Sequence, residues 1–231
     1  MPTLDDTSAT RQDLQTFLAQ PGCAICQLAL QSTARYFDAL LYEGANDPAV
    51  HAAFEAGGAF CPEHAEVFVE RRDLLAGALI YGNLVHQRLR LLEQRRRPGA
   101  FRPDAVRRTL PGRLCPACAT ERESVGRGAA ILAEELKSGG LADAWRASPG
   151  LCWPHFLAVR QRLRGRARDS LDEIEEGALR RLDEDNRALV ASFDYQNTQP
   201  RTPEMESSWR RAVDAVLGRL LAARSAPRSH R

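Results

Sequence analysis

Six cysteines and two of the five histidines fall into one repeated spacing, which limits the possible folds more than any other feature of the chain. Cys23 and Cys26 form C-x2-C, and Cys61 and His64 form C-x2-H. The first pair recurs after 92 residues as Cys115 and Cys118, and the second after 91 as Cys152 and His155. Between the inner cysteines lie 34 residues in one half and 33 in the other, and no cysteine falls outside the scheme. Self-similarity at a fixed offset marks a duplication. The chain is therefore expected to fold as two pseudo-repeated units.

Three thiols and one imidazole in each half match a tetrahedral Cys3His zinc set. In C-x2-C both sulfurs reach one ion from a tight turn, and in C-x2-H at a helix start positions i and i+3 share a face. Pro62 suits the first helical turn after Cys61, where free N–H groups favour a thiolate. The expected sets are Cys23, Cys26, Cys61 and His64, then Cys115, Cys118, Cys152 and His155, with a helical hairpin spanning each long excursion. Competing chemistries fit less well. Three cysteines per half leave one unpaired in a disulfide scheme, and a Cys–His nucleophile needs no duplicated companion thiols. A thioredoxin-like site needs a βαβ setting that is missing here. An iron–sulfur cluster with one histidine stays open as an alternative.

The intervening segments read as helices. Ala29, Leu30, Thr33, Phe37, Leu40 and Leu41 keep helical spacing after Cys26. Asp47 and Pro48 start a short helix. A long segment from Pro62 to Gln94 carries an apolar stripe through Val67, Phe68, Leu74, Leu75, Leu79, Val85, Leu89 and Leu92. In the second half, helices are expected from Cys118 to Leu136, briefly over 141–150, and after His155 through Phe193 with an interruption near Gly165. Nothing alternates with β-branched enrichment, so the fold class is all-α. Residues 1–97 form the first repeat and 113–197 the second. Residues 98–112 are an Arg/Pro-rich linker, and 198–231 hold a C-terminal loop, an amphipathic helix with Trp209, Val213, Val216, Leu217 and Leu220, and a tail.

Composition excludes little. A net charge of +2 and 44% hydrophobic residues are ordinary for a globular chain. Seven arginines in residues 95–113 raise the question of nucleic acid, but Phe101 is the only aromatic among them and no DNA-binding motif encloses them, so a solvated linker is expected. No apolar run approaches the length of a membrane span, and the polar N-terminus has no signal-peptide pattern. Cytoplasmic localisation with reduced thiols is the resulting expectation. His51 and His86 lack partner cysteines and His230 lies in the tail. Trp145, Trp153 and Trp209 are expected to pack in cores or between helices. Glu173 and Glu176 are expected to form a solvated face with Arg180 and Arg181. Phosphate-loop, nucleophile-elbow and H-E-x-x-H motifs are absent from the sequence.

The "CAIC…FCPEH" and "CPAC…LCWPH" halves, each followed by a long helix, resemble an uncharacterised bacterial family of about this length. The closing "FDYQNTQPRTPEMESSWRRAVDAVLG" is similar to that family's end. Ala24 departs from its pattern, in which a proline commonly follows the first cysteine, as Pro116 does in the second half. The resemblance implies metal ligands at the same eight positions and lends no activity. A closed four-ligand site keeps no open position for zinc catalysis. The expected function is therefore a non-enzymatic, zinc-binding interaction or regulatory module with two zinc ions and a protein partner. The alternatives are a thiol/zinc redox-responsive switch or an iron–sulfur protein.

Overall fold

The computed structural model describes residues 4–57, 59–94, 96, 101–110 and 115–218. All of their regular structure is helical, with no strand. In chain order the helices are α1 (Leu4–Leu18), α2 (Ala24–Tyr42), a 3-10 turn (Gly44–Asn46), α3 (Pro48–Gly57), α4 (Pro62–Glu70), α5 (Leu74–Glu93) and α6 (Pro103–Arg108). They continue as α7 (Pro116–Ser138), α8 (Ala142–Ala147), α9 (Trp153–Arg160), α10 (Gly165–Ala191) and α11 (Pro203–Leu217).

Two compact units form, and they do not follow the sequence halves. One takes the described residues up to Ala29 together with those from Ser124 onward; the other is Leu30–Glu123. The physical reason lies in helix lengths. At 1.5 Å per residue, α2 carries the chain about 28 Å and α7 about 34 Å. The unit boundary falls inside each of these helices, between Ala29 and Leu30 in α2 and between Glu123 and Ser124 in α7, so the chain leaves the unit of its C-x2-C before it reaches its C-x2-H. A hairpin out and back within one half is thus replaced by a closing contact from the other half.

The core of the first unit joins Leu14 and Leu18 of α1, Ile25 and Leu28 of α2, Leu132 of α7 and Trp145 of α8 to Val159, Leu171 and Ile174. Helix α1 had no place in the sequence reading, although Leu14 and Leu18 are four apart on one face. Gly150, at φ +87°, lets the loop before α9 lie against α10. A Cβ there would stand 2.9 Å from Ala178 and 3.2 Å from the Glu175 carboxylate. That carboxylate accepts a hydrogen bond from the Leu151 N–H at 3.0 Å.

The second unit is built around aromatic side chains. Phe60 lies edge-on to Phe54 at 4.9 Å and beside Phe37 at 5.2 Å, while Phe68 sits 5.7 Å from Tyr81. Asp47 caps α3 through the Ala49 N–H at 2.8 Å, as its sequence position predicts. The long helix expected from Pro62 to Gln94 is instead two. Arg72 takes φ +56°, and the Asp73 side chain caps α5 by accepting from the Ala76 N–H at 2.9 Å. Helix α5 buries Ala76, Ile80 and Leu84, so most of the apolar stripe read from the sequence points elsewhere: Leu74, Leu75, Val85, Leu89 and Leu92 are exposed. Within the expected linker, Pro103–Arg108 forms α6.

Candidate metal centres

Each ligand pair sits at a helix entrance. Cys23 and Cys115 immediately precede α2 and α7, with Cys26 and Cys118 in the first turns. Cys61 and Cys152 are the N-caps of α4 and α9, with Pro62 and Pro154 in the first turns, at the first and second helical positions respectively. Their carbonyls accept the first helical bonds, Ala65 N–H to Cys61 at 2.8 Å and Phe156 N–H to Cys152 at 2.8 Å. The sulfurs therefore lie at the positive ends of helix dipoles, where unpaired N–H groups stabilise negative charge.

All eight expected residues are brought into two four-residue groups, but the pairing is crossed. One group is Cys23, Cys26, Cys152 and His155; the other is Cys61, His64, Cys115 and Cys118. The expectation that each half closes its own set is overturned. Each centre takes its C-x2-C from one half and its C-x2-H from the other, for the reason of helix length given above, and each lies within one compact unit.

The distances suit a single ion. Zinc–sulfur bonds of about 2.3 Å and zinc–nitrogen bonds of about 2.0 Å in a tetrahedron set sulfurs about 3.8 Å apart and sulfur from nitrogen about 3.5 Å. In the first group Cys26 lies 3.6 Å from Cys152, and the His155 Nδ1 stands 3.4, 3.4 and 3.2 Å from Cys23, Cys26 and Cys152. In the second, Cys61 is 3.6 Å from Cys118, and the His64 Nδ1 lies 3.1, 3.6 and 3.3 Å from Cys61, Cys115 and Cys118. All six cysteines are free thiols. Within each group the ligand atoms fall within 4.8 Å of one another, so either group could hold a metal ion.

Electrostatics point the same way. Burial pushes the Cys23 thiol well above its ordinary value, and the neighbouring Cys152 and Cys26 sulfurs add to this. Hydrogen bonds with Cys152 and Cys23 draw Cys26 far down. Desolvation opposes protonation of His155, yet Cys152 and Cys26 raise it to about 10. In the second group burial opposes ionisation of Cys115, but bonds from His64 and from the Cys61 and Cys118 backbone lower it to about 6. Burial and the adjacent Cys61 and Cys115 push Cys118 well up. Crowded thiols cannot all ionise without a compensating cation, and a divalent ion supplies that charge.

The surroundings differ between the groups. Cys23, Cys26 and Cys152 are buried, whereas Cys61 and Cys118 are only partly buried. The Glu121 carboxylate lies 3.7 Å from the outer His64 nitrogen, the position of the carboxylate that commonly orients a metal-bound imidazole. Sequence reasoning passed over it, although Glu121 follows Cys118 by three residues and so shares its helix face. Gly218 ends α11 at φ +80°, ψ 165°, and a Cβ on it would meet the Cys152 and Cys26 sulfurs at 3.4 and 3.5 Å.

Other histidines and tryptophans have ordinary structural places. His51 bonds the Ala45 carbonyl through Nε2 at 2.9 Å and the Asn83 amide through Nδ1 at 3.1 Å. His86 is exposed, and His230 lies outside the described residues. Trp145 is fully buried, whereas Trp153 and Trp209 are about half exposed, Trp153 with its ring 5.1 Å from that of Phe156. Glu176 pairs with Arg180 across one turn, as expected; Arg181 instead donates to the Ser148 carbonyl at 3.0 Å. Among the described residues no helix is long and apolar enough to cross a membrane.

Comparison with known proteins adds little chemistry. No protein-family model and no solved structure matches the chain. Over 63 residues it is 36% identical to the Uncharacterized 23.9 kDa protein in xynA 3'region from Caldicellulosiruptor sp. (strain Rt8B.4). The match covers 27% of this chain and 30% of that relative. Such a partial similarity fits the resemblance to an uncharacterised family and transfers no residue role.

Proposed function

We propose that the protein is a zinc-binding, non-enzymatic helical module whose two Cys3His centres are structural and whose helices present a surface to protein partners. The observation behind this reading is the closeness of the four ligand atoms in each group, all within 4.8 Å. That is the size of one tetrahedral coordination sphere. A polynuclear iron–sulfur cluster would hold its ligands further apart by its own width. Four protein donors leave no open position of the kind zinc catalysis uses. Each ion would join the entrances of two helices and so hold together the elements that form each core.

Elemental analysis of protein purified without a metal-binding tag tests the reading directly. Two zinc per chain, and tetrahedral thiolate–cobalt absorption after cobalt exchange, are expected. A brown preparation carrying iron and sulfide overturns it. A second reading, a thiol/zinc redox switch, draws on the incomplete burial of Cys61 and Cys118 with sulfurs 3.6 Å apart. Hydrogen peroxide would take two electrons from these two thiolates, its O–O bond breaking to give two hydroxide ions as one disulfide forms and the ion is released. Zinc release reversed by a thiol reductant supports the switch, and inertness to millimolar peroxide supports the static module.

A further inference from the structure

Helix α5 carries two apolar faces, and only one belongs to its own core. At 100° per residue, Ala76, Ile80 and Leu84 point into the unit. Leu75, Ala78, Gly82, Val85, Leu89 and Leu92 fall on the opposite side. All six of the latter are exposed, with Leu75 and Val85 at 64%, Leu89 at 49% and Leu92 at 53%. Their successive spacings are three, four, three, four and three residues, the a/d rhythm of a two-stranded coiled coil. The helix thus has a seam of the kind that normally faces another helix. No charge interrupts it, and Ala78 and Gly82 near its middle let a second backbone come close.

We propose that this face is a homodimer interface, in which α5 of a second copy packs in parallel along Leu75, Ala78, Gly82, Val85, Leu89 and Leu92. Three observations favour a second copy over a foreign partner. The a/d pattern is complementary to itself, since each knob fits a hole built from the same residues. Arg88 and Glu93, which flank the seam, are opposite in charge and five residues apart. That is the g-to-e′ spacing which meets across a parallel pair, while Arg88 also donates to the Leu84 and Thr109 carbonyls. The exposed seam residues together with Leu74 would also remove roughly 1,200 Å² from water over two copies, the lower end of the range for specific interfaces. Apolar patches of several hundred Å² on one protein mark association sites.

Sedimentation of the full-length, metal-loaded protein tests the proposal. A species of twice the chain mass is expected at 100 µM. The Val85→Glu, Leu89→Glu double variant should be monomeric there, with association weakened at least tenfold and helicity and metal content unchanged, because both side chains lie outside the core. Glu93→Arg should weaken association several-fold by placing like charges across the seam. Amide exchange of the wild type provides a readout that needs no substitution: protection over 74–93 should rise between 1 and 100 µM. A wild type that is monomeric at 100 µM, whatever else then covers the face, overturns the proposal. So does a dimer that survives the double substitution, or exchange over 74–93 that ignores concentration.

Discussion

Gly218 and Glu175 show how single residues constrain the first unit. Gly218 holds a backbone conformation that is almost confined to glycine, beside the Cys152 and Cys26 sulfurs. A methyl group there finds barely enough room, so the backbone carries the penalty. Gly218→Ala is expected to cost about 1–3 kcal/mol, read as a lower melting temperature of metal-loaded protein, and to speed metal loss to a chelator. Glu175 is buried, and burial raises it to about 7 despite the Leu151 N–H. An acid raised in the folded state contributes stability below its unfolded value near 4.5, and that contribution is lost as pH rises through about 7. The wild type should therefore lose about 1 kcal/mol between pH 6 and 8 from this group. Glu175→Gln should flatten that dependence in denaturant titrations at the two pH values; an unchanged slope would show that Glu175 does not titrate there.

At the scale of elements, local chemistry accounts for most helix boundaries. Asp73 and Thr202 each accept a bond from the third helical residue, Ala76 at 2.9 Å and Met205 at 3.2 Å. Asp73→Ala and Thr202→Ala should each cost about 1 kcal/mol in thermal unfolding. The helices over α2, α7 and α10 were legible because apolar residues keep helical spacing there, and α3 because Asp47 caps it. The break between α4 and α5 was not, because unbroken apolar periodicity hides a residue whose side chain caps the next helix. Helix α6 was also hidden, since three prolines and seven arginines describe a solvated strip whether or not one turn inside it is helical. Periodicity likewise reports that a face is apolar without saying what covers it. Leu75 and Ile80 look alike in the sequence and lie on opposite sides of α5.

At the scale of the whole molecule, the eight residues that gather into the two groups could be read from the sequence and their partnership could not. Spacing shows which residues coordinate together only when the segment between them is short or its path is known. Here the path turns on α2 and α7, each of which begins in one unit and ends in the other. Metal stoichiometry of double variants tests the crossed arrangement. Cys23→Ser with Cys152→Ser should lose one zinc of two, whereas Cys23→Ser with Cys61→Ser should lose both. The reverse pattern would restore closure within each half. Crossing also nests one ligand set inside the other in chain order, with Cys61 to Cys118 enclosed between Cys26 and Cys152. On a ribosome, the inner group is complete once Cys118 has emerged, while the outer one must wait for His155. Closing the inner loop first shortens the 125 residues between Cys26 and Cys152 to an effective path of roughly half that length, easing outer closure by about 0.5 kcal/mol. The order of synthesis is thus also the order of least entropic resistance, and a nascent chain whose inner group failed to close would stall first at its centre.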